Sequence, residues 1–94
     1  MQVKETSRYT SSLKKFKRDK LLLQKIEKTI QTFIDDETHA SINYKKINCK
    51  KDKDKYSIRV IGTQYRILMT VLENTAYFQC VCSHDRYDAT IKDC

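Results

Sequence analysis

Arg59, Arg66, His84 and Tyr87 are the residues of this chain whose types and spacing suit chemistry best. Arg59 lies in an apolar segment from Tyr56 to Ile61, Arg66 in one from Tyr65 to Leu72, and a third, Thr75 to Ser83, runs straight into His84-Asp85-Arg86-Tyr87. A guanidinium is always charged and grips two oxygens at once. A histidine moves protons near neutral pH, and a tyrosine stacks on an unpaired base or offers a phenolic proton. Together they suit holding a phosphodiester. Cleaving one in RNA without a metal would need a base for the 2′-hydroxyl, cations around a phosphorane-like transition state and an acid for the leaving 5′-oxygen. Proton transfer of this kind contributes about 10² to 10⁴-fold, and charge stabilisation is usually the larger effect.

Other chemistries find no support. The chain has no Gly-rich phosphate loop, no nucleophile elbow and no carboxylate pair at metal-binding spacing. Cys80, Cys82 and His84 share a strand face, but the first and last are roughly 13 Å apart on a strand, too far for one tetrahedral ion. No metal and no cofactor are expected.

The elements that must position these residues follow from their patterns. The three apolar segments alternate or are rich in β-branched and aromatic residues, as strands are. A two-residue loop at Gly62-Thr63, with Gly62 supplying the positive φ of a II′ turn, pairs Ile61 with Gln64 and sets Arg59 opposite Arg66. Facing arginines repel, and a bound anion offsets that repulsion. The next register decides where His84 points. A three-residue loop over Glu73 to Thr75 pairs Arg66 with Cys82 and brings His84 to the Arg66 face, whereas a two-residue loop does not.

Upstream, Gln2 to Ser7 reads as a short strand, and Thr10-Ser11-Ser12 offer N-cap hydroxyls for a short helix carrying Leu13 and Phe16. Leu22, Leu23, Ile26, Ile30, Phe33 and Ile34 form one helical stripe, ending near Asp36. Ser41 to Asn48 reads as an extended connection and Lys50 to Lys55 as a charged loop. Helices first and strands afterwards predict an α+β fold: two N-terminal helices packed on one face of an antiparallel, curved sheet, the other face left for ligands.

The chain is 94 residues long with a net charge of +7. That length makes a single domain, residues 1–94, burying only about 60 to 65 per cent of the surface its unfolded chain exposes. Its charge is concentrated in two runs. One is Arg8 to Lys20; the other sets Lys45, Lys46, Lys50, Lys51, Lys53, Lys55 and Arg59 against only Asp52 and Asp54. A polyanion is the natural partner of such a surface, because each neutralised phosphate releases counterions. With no secretory segment and no apolar run long enough to span a bilayer, a soluble, cytoplasmic protein without membrane contact is expected. Cys49, Cys80, Cys82 and Cys94 accordingly read as reduced thiols.

In order and spacing, the helical pair, the basic connection, the Ser57-Ile-Arg-Val strand, the strand beginning Tyr65-Arg-Ile and the final strand leading to His84-Asp-x-Tyr87 resemble the RelE/ParE superfamily of bacterial type II toxins, from Ser7 to Tyr87. The resemblance implies a compact toxin that enters the ribosomal A site and cleaves messenger RNA, silenced by a cognate antitoxin in a hetero-oligomeric complex. It places the active site at Arg59, Arg66, His84 and Tyr87. Lys46, Lys51, Lys53 and Lys55 would hold the messenger or ribosomal RNA backbone. Two other readings stay open. One is a ParE-like toxin that poisons DNA gyrase without cutting anything, since one scaffold serves both branches; the other is a non-catalytic RNA-binding module.

Overall fold

Thr6 opens the first helix rather than Thr10 to Ser12. Its hydroxyl accepts a hydrogen bond from the Tyr9 amide at 3.2 Å and donates to the Phe78 carbonyl at 2.6 Å, capping the helix and tying it to the sheet. The computed structural model describes residues 1–92. Strand β1 is Gln2–Glu5, helix α1 is Ser7–Leu13, and a 3₁₀ turn, Lys14–Phe16, follows. Helix α2, Lys20–Asp35, is capped by Asp19, whose carboxylate accepts from the Leu22 amide at 3.0 Å. It ends where the Asp35-Asp36 pair predicts. Its buried stripe is Leu22, Ile26, Thr29 and Phe33, while Ile34 is exposed. Thr29 earns its buried place by hydrogen bonding: its hydroxyl donates to the Lys25 carbonyl and accepts from the Ile61 amide at 3.0 Å, locking α2 to the first hairpin.

The sheet has five strands in the order β1-β5-β4-β3-β2, with β2 at Lys45–Lys46, β3 at Lys55–Arg59, β4 at Arg66–Leu72 and β5 at Thr75–Cys82. It is mixed rather than wholly antiparallel, because β1 runs parallel to β5, from Gln2 beside Thr75 to Glu5 beside Phe78. The expected Ser41 to Asn48 connection contributes β2, two residues long. Arg59 does lie opposite Arg66. The turn that achieves this differs from a II′ loop at Gly62-Thr63: the Thr63 amide bonds the Val60 carbonyl, so Ile61-Gly62 is the centre, with Gly62 at φ +73° in its second position.

The β4–β5 hairpin reconciles both loop lengths. Its turn is the two-residue one, Glu73-Asn74, both in the left-handed region at φ +48° and +64°, and Leu72 pairs with Thr75. Partway along, Met69 pairs with Phe78 but Leu68 with Cys80, so Gln79 is an extra, bulged residue. The bulge shifts the register by one, and Arg66 meets Cys82 as the longer loop alone would have required.

Beyond Cys82 the chain leaves the sheet and forms a helix the sequence reading lacked, α3, His84–Lys92. The main core lies between α1, α2 and the sheet, around Tyr9, Phe33, Ile58, Ile67, Met69 and Phe78. The opposite face is not simply open. Ile47, Cys49 and Tyr87 fold over Leu68, Cys80 and Cys82 to make a second, smaller cluster. Cys80 and Cys82 are free, as expected, but Cys49 is disulfide-bonded and departs from the reduced-thiol reading. Cys94 lies outside the described residues.

Candidate active site

Alternation along β3 and β4 sends Ser57 and Arg59, and Arg66, Leu68 and Thr70, to the face away from α1 and α2. Arg66 is its most unusual member. Its guanidinium carbon sits 5.6 Å from the centre of the Tyr87 ring, in cation–π range. Nε and Nη1 are shut off from solvent, and neither has a hydrogen-bond partner among the described residues. A charged group that cannot shed its proton, buried without acceptors, costs stability unless an anion completes it. Arg59, directly opposite, is exposed and donates from Nε to the Thr63 carbonyl at 3.1 Å, leaving its outer nitrogens for a ligand.

Tyr87 does not present a free ring. It is only 4 % exposed, its hydroxyl lies 3.3 Å from Ser57 Oγ, and Lys45 Nζ approaches its ring at 5.9 Å. In this arrangement it is a platform for Arg66 and Lys45 rather than a stacking surface for a base. The reason is α3, which folds residue 87 onto the Leu68 and Cys80 patch.

His84 begins α3, two residues after the cross-strand partner of Arg66, so their Cα atoms are within roughly 12 Å of each other. It is not packed into the Tyr87 cluster. Its ring is half-exposed, and Nδ1 lies 3.3 Å from Asp88 Oδ2. A carboxylate on Nδ1 favours the tautomer with its proton there, which leaves Nε2 outward as a proton acceptor. Asp88 is the partner that sequence reasoning passed over. Its signal was the i, i+4 spacing to His84, meaningful only once the tail is seen to be helical.

The basic residues are held more firmly than a solvated loop. Thr70 donates to Asp52 at 2.6 Å and receives Gln79 Nε2 at 2.7 Å, while the Val71 amide bonds the Asp54 carbonyl at 2.9 Å. These bonds fasten the 50–55 segment across β4. Lys46 and Lys53 line one hollow of about 470 Å³ with Ile47, Asn48 and Cys49. Next to it, Lys45, Lys46, Ile47, Asn48 and Tyr87 line another of about 280 Å³; Arg59, Arg66 and His84 do not line it. Lys55 stands opposite Thr70, Lys51 is exposed, and Lys45 joins the set as a cation the sequence reading had not selected. The structure thus brings Arg66, Tyr87 and Lys45 together, sets Arg59 beside them, and keeps His84 at the rim with Asp88.

Comparison with known proteins adds the family. Residues 20–89 match the model of the ParE-like toxin domain. No curated protein sequence matches the chain. Among solved structures, the E. coli DinJ-YafQ toxin-antitoxin complex aligns at TM-score 0.71 with 10% identity, over 89% of this chain and 92% of that one. The YoeB dimer from Staphylococcus aureus aligns at 0.67 with 18% identity, covering 88% and 94%. The RelB-RelE antitoxin-toxin complex from Methanococcus jannaschii aligns at 0.65 with 23% identity, covering 90% and 95%. At such identities these likenesses speak for the fold.

Proposed function

Because this chain belongs to the ParE-like toxin domain family, we propose that it is the toxin of a type II toxin–antitoxin pair and works, as one domain spanning residues 1–94, as a ribosome-dependent messenger RNA endonuclease. The observation that carries the cleavage reading is Arg66, whose two shielded guanidinium nitrogens lack any acceptor on a face fringed by lysines. A phosphodiester supplies those acceptors once the side chain turns outward to meet it.

In this reading Arg66 and Arg59 hold the non-bridging oxygens of the scissile phosphate and stabilise the charge that grows on them. Tyr87 fixes the Arg66 guanidinium from beneath. His84 Nε2, with Nδ1 held by Asp88, exchanges the proton of the 2′-hydroxyl or of the leaving 5′-oxygen. Lys46, Lys51, Lys53 and Lys55 grip the RNA backbone on either side. The nucleophile is the RNA's own 2′-hydroxyl, so the scheme needs no metal and no cofactor. Ribosome and messenger place the protein in the cytoplasm; among the described residues no helix is long and apolar enough to cross a membrane.

An antitoxin is the remaining partner. Two of the three structures named above are toxin–antitoxin complexes, and a net charge of +7 favours an acidic one. The rival reading, a gyrase poison without nuclease activity, is favoured by the family's ParE-like description, but it gives the His84–Asp88 pair no task.

Expression in cells with mapping of ribosome positions separates the two. Cuts at A-site codons that vanish in His84→Ala support cleavage. Double-strand DNA damage that persists in His84→Ala overturns it in favour of the gyrase reading.

A further inference from the structure

A second cluster of cations lies away from Arg66. Arg8, Ser11, Ser12 and Lys15 of the first helical stretch face Arg86 and Thr90 of α3 across a hollow of about 230 Å³, floored by Cys80 and Val81 of β5. The hollow exists because β1 covers β5 only as far as Phe78. Above that point the β5 edge is bare, and the Ser12 hydroxyl takes up the Val81 amide at 3.0 Å. The volume equals about eight waters at ~30 Å³ each, room for a phosphate group with part of its hydration shell.

Among the described residues, its lining contains three cations and no acid. Held around one concavity, like charges repel, and an anion between them relieves that repulsion. Two guanidiniums supply planar forks for oxygen pairs and the ammonium a point charge, a set that suits the several oxygens and double charge of a phosphate better than one carboxylate. The wall feels the field. Cys80 is held down to about 7, chiefly by a hydrogen bond from Cys82, with Arg8, Lys55 and Arg86 adding to the effect against the opposing influence of burial.

We propose that this hollow is a phosphate-binding site formed by Arg8, Lys15 and Arg86, taking one phosphate group either as the free ion or as part of an RNA backbone. The site requires no cleavage, and its test reads binding alone. ¹⁵N-labelled full-length protein is titrated with inorganic phosphate and, separately, with a short single-stranded RNA, following the arginine Nε and Val81 amide signals. Phosphate moves the Arg8, Arg86 and Val81 signals if the site takes the free ion; RNA without an effect of phosphate assigns it to the backbone. Arg8→Gln and Lys15→Gln, both at exposed positions, each weaken the effective titrant by about tenfold. Lys20→Gln, which removes the same charge outside the hollow, leaves it unchanged. The proposal is overturned if neither titrant moves these signals, if only a glutamate-rich peptide does, or if Lys20→Gln weakens binding as much as Arg8→Gln.

Discussion

The two faces of the sheet each bury a polar group without a partner, and they treat it differently. On the helix side it is the Tyr9 hydroxyl, set beneath α1 with its ring 5.3 Å from that of Phe78. Burial, with Glu5 adding to it, pushes that phenol well above its usual range, so it stays neutral. On the other side, besides the Gln79 side-chain oxygen, it is the Arg66 guanidinium, which stays charged whatever its surroundings. A neutral orphan is a modest defect inside a large apolar core. A charged orphan over the small cluster of Ile47, Leu68, three cysteines and Tyr87 is costly, and a bound anion, as proposed for RNA, would offset that cost. One face is organised for stability, and the other accepts instability where RNA is proposed to bind.

Truncation of the helix face has the largest expected effect on folding. Phe78→Ala removes a ring packed between Tyr9 and Phe33 and costs about 3 to 5 kcal/mol in denaturant unfolding. Loss below about 1 kcal/mol would show that this face is not the stabilising one. Arg66→Ala reverses the pattern. Cleavage of ribosome-bound messenger falls about 10² to 10³-fold, while unfolding stability holds or rises by about 1 kcal/mol as the orphaned nitrogens go. A variant that cuts normally, or that unfolds as readily as Phe78→Ala, would erase the contrast.

Thr70→Val is the finer probe. It breaks the Asp52–Thr70–Gln79 chain that fastens the lysine segment, at a cost of about 1 to 2 kcal/mol. Amide exchange across residues 50 to 55 should quicken and RNA affinity should drop; unchanged exchange would mean the segment is held some other way. Smallest is the pH response of Cys80. Its thiol lies near 7 rather than 9, while Cys82 is pushed up by the same hydrogen bond. Raising the pH through 7 makes more thiolate, so alkylation at Cys80 should climb between about pH 6 and 8 and outrun that at Cys82. Peptide mapping that finds the climb only near pH 9 would remove the proposed influence of Cys82 and the neighbouring cations.

Much of this arrangement was legible before any coordinates. The stripe from Leu22 to Phe33 and the three strands follow from periodicities of 3.6 and 2, because each is a local rule about which side chains share a face; the Arg59–Arg66 pairing followed from the hairpin loop, although the turn itself is centred one residue earlier. The placement of β1 was not legible as a parallel partner of β5, since its pairing joins residues more than seventy apart and its own segment holds one valine. Nor was the bulge at Gln79. Two loop lengths predicted opposite faces for the strand end, and the chain used the shorter loop and then inserted a residue to recover the other register.

The candidate site divides along the same line. Residue types chose the chemistry: arginines for phosphate, a histidine for protons, lysines for a backbone, all properties a side chain carries wherever it sits. Position decided their parts. Helix α3 folded Tyr87 inward beneath Arg66, paired His84 with Asp88 at the rim and turned Arg86 toward Arg8 and Lys15. Charge and composition belong to each residue alone, but burial and partnership are created by segments far apart in the chain meeting across the sheet, and only the folded structure holds that information.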